Sequence, residues 1–110
     1  MSSVRVRNGW AAESWAADYL RKEGWDVYHL APSEAADLIA LRKNPPNGRV
    51  TVRFIEVKSS TGRERVGVLS EPEELLRVRL QREGGIGIGH RIIRVWRPSP
   101  SEPFVLRFEA

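Results

Sequence analysis

The 110-residue chain contains no cysteine, which excludes a disulfide scaffold and a thiolate zinc site. It also lacks a signal peptide and any apolar run long enough to cross a bilayer, so the expectation is a soluble, cytoplasmic protein with no membrane partner. Histidine occurs only at His29 and His90, too few for a histidine-rich metal site, and neither has a neighbouring motif that would make it a general base. No Gly-x-Ser-x-Gly elbow offers a serine nucleophile. Gly85-Ile86-Gly87-Ile88-Gly89 has the glycine density of a nucleotide loop, but it follows a helical pattern and precedes a strand pattern. A dinucleotide fingerprint needs strand, loop, then helix, so no nucleotide cofactor is expected. Internal repeats and low-complexity blocks are absent as well.

What is present bounds the chain to one domain, 1–110, large enough for a single core and too small for a separate specificity module. The formal net charge is +4 and the pI about 10.1. That balance suits a polyanionic partner, and its arginine bias suits bidentate phosphate contacts, although genome composition or heat tolerance would produce the same bias.

The chemistry concentrates on either side of one turn. Asp37 opens the run Asp37-Leu38-Ile39-Ala40-Leu41, and Glu56 and Lys58 lie within Val50-Thr51-Val52-Arg53-Phe54-Ile55-Glu56-Val57-Lys58. Both runs have strand character, and Asn44-Pro45-Pro46-Asn47-Gly48 between them is a turn. An antiparallel hairpin centred between Pro46 and Asn47 sets Asp37 opposite Glu56, and period-two alternation puts Lys58 on the same face. Two carboxylates held together raise each other's pKa unless a cation neutralises them. Mg²⁺, with Mn²⁺ as a substitute, favours carboxylate oxygens and water and shares its remaining positions with phosphate. Lys58 would then orient the attacking water and offset negative charge. The alternative is a solvated charged face on a half-exposed sheet.

A further carboxylate comes from a helix over Trp10 to Glu23, whose apolar side carries Ala12, Trp15, Ala16, Tyr19 and Leu20 and which stops at Gly24. Glu13 projects from the shoulder of that side; a solvent-exposed glutamate is the alternative. Met1 to Asn8 is expected to be a mobile arm whose Arg5 and Arg7 reach a phosphate backbone, or else a solvated tail. Ser59-Ser60-Thr61-Gly62-Arg63-Glu64-Arg65 is expected to be a loop after the Glu56 strand, with Ser59, Ser60, Arg63 and Arg65 placed to hold phosphates. Ser70 and Glu73 form a capping box that starts a second helix, with Leu76 and Leu80 toward the core and Leu75 and Val78 elsewhere. A strand over His90 to Trp96 follows. The 97–103 segment is a Pro/Ser connector to an edge strand over Phe104 to Phe108. Of the tryptophans, Trp10 is the one expected outside the core.

Gly9-Trp10-Ala11-Ala12-Glu13, Ala36-Asp37-Leu38-Ile39-Ala40 and Phe54-Ile55-Glu56-Val57-Lys58-Ser59 together resemble the PD-(D/E)XK nuclease superfamily, most of all the archaeal Holliday junction resolvases. The resemblance spans about Arg5 to Trp96. It implies an α/β, restriction-endonuclease-like fold, a mixed central sheet flanked by helices in the order α-β-β-β-α-β. By that likeness Asp37 and Glu56 are metal ligands with the Val57 carbonyl, Lys58 is the catalytic lysine, Glu13 is a helix carboxylate acting near the metal, and Ser33 matches a serine in the loop before the aspartate. The sequence departs from the pattern in Pro32-Ser33-Glu34-Ala35-Ala36, which lacks the expected glycine and serine richness.

The activity so implied is a Mg²⁺-dependent endonuclease that leaves a 5′-phosphate on branched DNA, working in recombination and repair as a homodimer with two active sites. Two alternatives stand beside it: a related nuclease acting on flaps, mismatches, single strands or foreign DNA, and a non-catalytic nucleic-acid-binding module.

Overall fold

The structure, a computed structural model, describes residues 3–31, 36–44, 48–65, 67–85 and 87–109. Helix α1 (Ser3–Lys22) leads into β1 (Asp26–His29), β2 (Leu38–Asn44) and β3 (Arg49–Thr61). Helix α2 (Glu71–Glu83), β4 (Ile88–Arg97) and β5 (Val105–Glu109) follow. The five strands make one mixed sheet in the spatial order β1-β2-β3-β4-β5. Only the β3–β4 pair is parallel, so the chain must cross between those two strands, and α2 makes the crossing. The expected α/β order and the C-terminal edge strand are both present.

The register of the β2–β3 hairpin agrees with the sequence expectation. Leu38 pairs with Ile55 and Asn44 with Arg49, so every pair is equidistant from the midpoint between positions 46 and 47. Residues 45–47 of the expected turn lie outside the described residues; Gly48 after them has φ 69°, a left-handed conformation that costs glycine little. β2 begins at Leu38, one residue later than expected, because Asp37 sits in a bend and its N–H donates to the Ile55 carbonyl at 2.9 Å.

Alternation along β3 sorts the two faces. Ile55 enters a core with Ala12, Ala16, Ala17 and Leu20 of α1 and with Val27, Leu38, Ala40, Ile93 and Val95 from the strands. Three alanines on the buried side of α1 let its backbone approach the sheet closely. Leu20, Ile55, Ile93 and Val95 are fully buried, and truncating one of them costs about 2–5 kcal/mol. α1 ends in a Schellman motif: Trp25 N–H donates to the Leu20 carbonyl and Gly24 N–H to the Arg21 carbonyl, with Gly24 at φ 94°. Glu56 and Lys58 occupy the opposite face, the one α2 covers.

Three sequence expectations are corrected. α1 starts at Ser3, so most of the expected arm is helical backbone. Nothing from Val4 to Asn8 breaks a helix, and Gly9 inside one costs only about 1 kcal/mol. The side chains of Arg5 and Arg7 lie outside the described residues. β3 continues to Thr61, with Ser59 opposite Val95 and Ser60 opposite Trp96. The segment after Lys58 is therefore strand, and the loop begins at Gly62. Lastly, Leu76 and Leu80 are half-buried and α2 has no fully buried residue, because the sheet face beneath it carries charged and polar side chains.

Candidate metal centre

The hairpin register brings Asp37 beside Glu56, and the β3-α2-β4 crossover supplies a third carboxylate. Carboxylate oxygens of Asp37, Glu56 and Glu73 all lie within 4.8 Å of one another. Each arrives by a different device. Asp37 is held in its bend, where its Oδ2 accepts the Val57 N–H at 2.7 Å. Glu56 follows Ile55 in β3 and so points away from the core, yet its side chain is 0% exposed. Glu73 is the third residue of α2 and belongs to its capping box, its Oε1 accepting the Ser70 N–H at 2.7 Å while Ser70 Oγ faces the Glu73 N–H.

Lys58 completes the cluster. Its Nζ donates to Glu73 Oε1 at 2.9 Å and to Oε2 at 3.1 Å. Both side chains are largely buried, so this pair is partly withdrawn from solvent screening. Glu13 approaches Asp37 from the α1 side, with His29 Nδ1 3.8 Å from its Oε2.

The electrostatics show what the cluster demands. Burial, then the adjacent Glu73 carboxylate and the charge of Asp37, push Glu56 up to about 9. Burial, then the charge of Asp37 and a hydrogen bond with it, push Glu13 up to about 7. Burial also raises Asp37, against the opposing pull of the Val57 N–H and Lys58. Glu73 goes the other way: burial would raise it, but hydrogen bonding with Glu56, Ser70 and Lys58 prevails and brings it to about 2. Without a cation, the cluster therefore holds protons that isolated carboxylates would have lost at neutral pH.

As a carboxylate Glu56 meets no donor at either oxygen, its one hydrogen bond being the one its proton makes to Glu73, and His90 Nε2, which stands 3.5 Å from Glu56 Oε1, has no partner. Burial pushes His90 down as it pushes Glu56 up, so the two face each other in neutral forms and make no ion pair. Two oxygens that meet no protein donor, in a fully buried side chain beside two further carboxylates, are the donor set a hard divalent cation satisfies. The residues fit Mg²⁺ or Mn²⁺: every donor is oxygen, and the cation's charge would remove the repulsion that now keeps protons on the cluster.

The structure thus brings together Glu13, Asp37, Glu56 and Lys58, all expected from the sequence. It adds Glu73, whose sequence signature is that of a capping residue alone. Val57 contributes its N–H to Asp37. Ser60 is removed from the phosphate-binding candidates: it is 2% exposed, with its Oγ unpartnered. Ser59 is half-buried within β3, whereas Arg63 and Arg65 are exposed just beyond the strand. Glu64 organises that turn by accepting the Thr61 N–H at 3.0 Å. Ser33 lies outside the described residues. No helix among the described residues is long and apolar enough to cross a membrane. No family model matches the chain, and no curated protein matches it in sequence.

Proposed function

We propose that this protein is a divalent-metal-dependent endonuclease that hydrolyses DNA phosphodiester bonds, with a restriction-endonuclease-like fold and branched DNA as its substrate, in the manner of a Holliday junction resolvase. One observation carries the reading: three carboxylates, from the bend before β2, from β3 and from α2, converge within 4.8 Å, among them a fully buried Glu56 whose oxygens meet no donor group of the protein, with Lys58 at the edge of the same cluster. A structural role accounts poorly for that arrangement, because burying unpaired carboxylates destabilises a fold.

In this reading Asp37, Glu56 and Glu73 hold the cation, with the Val57 carbonyl beside them. Mg²⁺ there would supply Lewis-acid activation of a phosphodiester and its attacking water. The chain's own residues do the rest. Val57 N–H fixes the rotamer of Asp37. Lys58, steadied by Glu73 at 2.9 Å, places positive charge where the phosphate gains negative charge in the transition state. Glu13, at about 7, is poised to accept a proton near neutral pH. Arg63 and Arg65, exposed at the end of β3, contact neighbouring phosphates, and a homodimer presents two such sites to the two strands of a branch.

The test is a cleavage panel of four-way junction, flap, single-stranded and linear duplex DNA with Mg²⁺, alongside light scattering. A dimer that cuts the branched substrates fastest is the expected result. Cleavage that favours single strands or flaps by a monomer would move the protein to the wider group of related nucleases. Absence of cleavage in every arm, with Mg²⁺ or Mn²⁺, would reject the enzyme.

A further inference from the structure

α2 turns two stripes toward the sheet. One carries Glu73 to Lys58. The other, Glu74, Arg77 and Gln81 at helical intervals, borders a cleft of about 570 Å³. The floor of that cleft is a row of β4: His90, Ile92 and Arg94 are alternate residues on one face, paired in register with Phe54, Glu56 and Lys58. Val68 and Leu69, from the segment leading into α2, form its remaining wall. The cleft therefore begins where the carboxylates end, and His90 marks the boundary with its Nε2 3.5 Å from Glu56 Oε1.

We propose that this cleft seats one unpaired nucleotide of the DNA strand being cut, its base against the apolar wall and its phosphate at Arg77 and Arg94. The proposal rests on the nuclease reading of the carboxylate site and specifies the substrate class of that site. The volume lies within the roughly 300–1,000 Å³ typical of small-ligand pockets, far too small for a duplex and sufficient for a single nucleotide. Val68, Leu69 and Ile92 offer aliphatic surface to the face of a base. A guanidinium both stacks on bases and binds phosphate through paired donors, which is the chemistry Arg77 and Arg94 bring. The Gln81 amide supplies a donor and an acceptor for a base edge. Glu74 is the one acidic residue among the described walls, and Arg77 engages its Oε1 through both Nε and Nη2, leaving Nη1 toward a phosphate.

Such a seat favours DNA with an unpaired nucleotide next to the scissile phosphate, as at a flap, a gap or an opened branch point, over a fully paired duplex.

Amide chemical shifts of the metal-free, full-length protein, recorded during titration with thymidine 5′-monophosphate and separately with inorganic phosphate, test the site without requiring cleavage. The nucleotide is expected to shift Val68, Leu69, Gln81 and Ile92 saturably, at concentrations where phosphate alone leaves them unchanged. Arg77→Ala should weaken that binding about tenfold. Gln81→Trp, a change at an exposed position that fills the cleft, should abolish it; the dispersion of the same spectra shows whether each variant is folded. No shifts at these residues, equal shifts in folded Gln81→Trp, or equal shifts from phosphate alone would overturn the proposal. The two readings fail separately: binding in the cleft by a protein that cuts no DNA keeps the seat and loses the nuclease, whereas cleavage by a protein whose cleft ignores the nucleotide does the reverse.

Discussion

Replacing Glu56 with Gln keeps the size and shape of a fully buried side chain while removing a titration from the sheet. In the metal-free fold Glu56 is pushed up to about 9, against about 4.3 in an unfolded chain. A raised folded value means that the native state binds the proton more tightly than the unfolded state. The stability linked to that proton is fully present below the unfolded value and is lost as pH rises through the folded one. Between about pH 5 and 9 one such group removes up to about 1.4 kcal/mol of stability per pH unit. Glu13, at about 7, adds to the slope over its lower half. Glu73 is depressed to about 2, so its contribution is constant above the ordinary carboxylate range and is lost only as pH falls toward 2.

Metal-free wild type should therefore melt at progressively lower temperature from pH 5 to pH 9. Glu56→Gln should flatten the upper part of that slope and be the more stable protein at pH 8, by several kcal/mol at most. Saturating Mn²⁺ should reverse the order, since it stabilises wild type by mass action and has lost a ligand in the variant. Thermal melts of both proteins with chelator and with Mn²⁺ at each pH read all three effects. Parallel pH profiles for the two metal-free proteins would refute the placement of a protonated, buried Glu56 at the centre of the cluster.

Three further outcomes follow from the same geometry. Lys58→Ala should lower the single-turnover cleavage rate at saturating Mg²⁺ by about 10²–10³-fold, the cost of removing one preorganised charge from the transition state, while Mn²⁺ binding measured by calorimetry persists. Neutralising Arg63 and Arg65 together should weaken all DNA affinities and reduce the slope of log affinity against log salt by up to about 0.9 for each lost phosphate contact, with the melting temperature unchanged. Ser70→Ala should cost about 1 kcal/mol of stability in chemical denaturation by deleting the α2 cap, yet keep metal affinity, because the backbone N–H that holds Glu73 remains.

The hairpin was legible because its parts are local. Two β-branched runs around Asn44-Pro45-Pro46-Asn47-Gly48 admit few registers, and a one-residue slip would send Ile55 to the face that holds Glu56. Glu13 was legible as a shoulder position on an apolar helix, although only the fold shows it meeting Asp37. Glu73 was hidden in plain view. A Ser-x-x-Glu box explains its glutamate completely by local capping, so nothing in the pattern asked for a second role. The usable signal was topological: a helix crossing between parallel strands starts near the C-terminal end of the first, where Lys58 lies, and its first turn faces that strand end.

The misread segments have physical causes as well. Ser59-Ser60-Thr61 has loop composition but gains strand partners in Val95, Trp96 and Arg97, a non-local pairing that outweighs weak propensity. Met1 to Asn8 offers serines as cap residues but no acidic residue in the first turn of α1, and Gly9 interrupts the pattern, so the helix start leaves only a weak mark in the sequence. α2 was expected to insert Leu76 and Leu80 into a core, but the strand face beneath it belongs to the carboxylates.

Anomalous diffraction at the manganese edge from crystals grown with Mn²⁺ tests the metal centre most directly. The expected result is a peak within direct coordination distance of carboxylate oxygens of Asp37, Glu56 and Glu73, lost in crystals of Asp37→Asn. A well-ordered cluster with Lys58 still bound to Glu73 and no peak among the three carboxylates at saturating Mn²⁺ would contradict it.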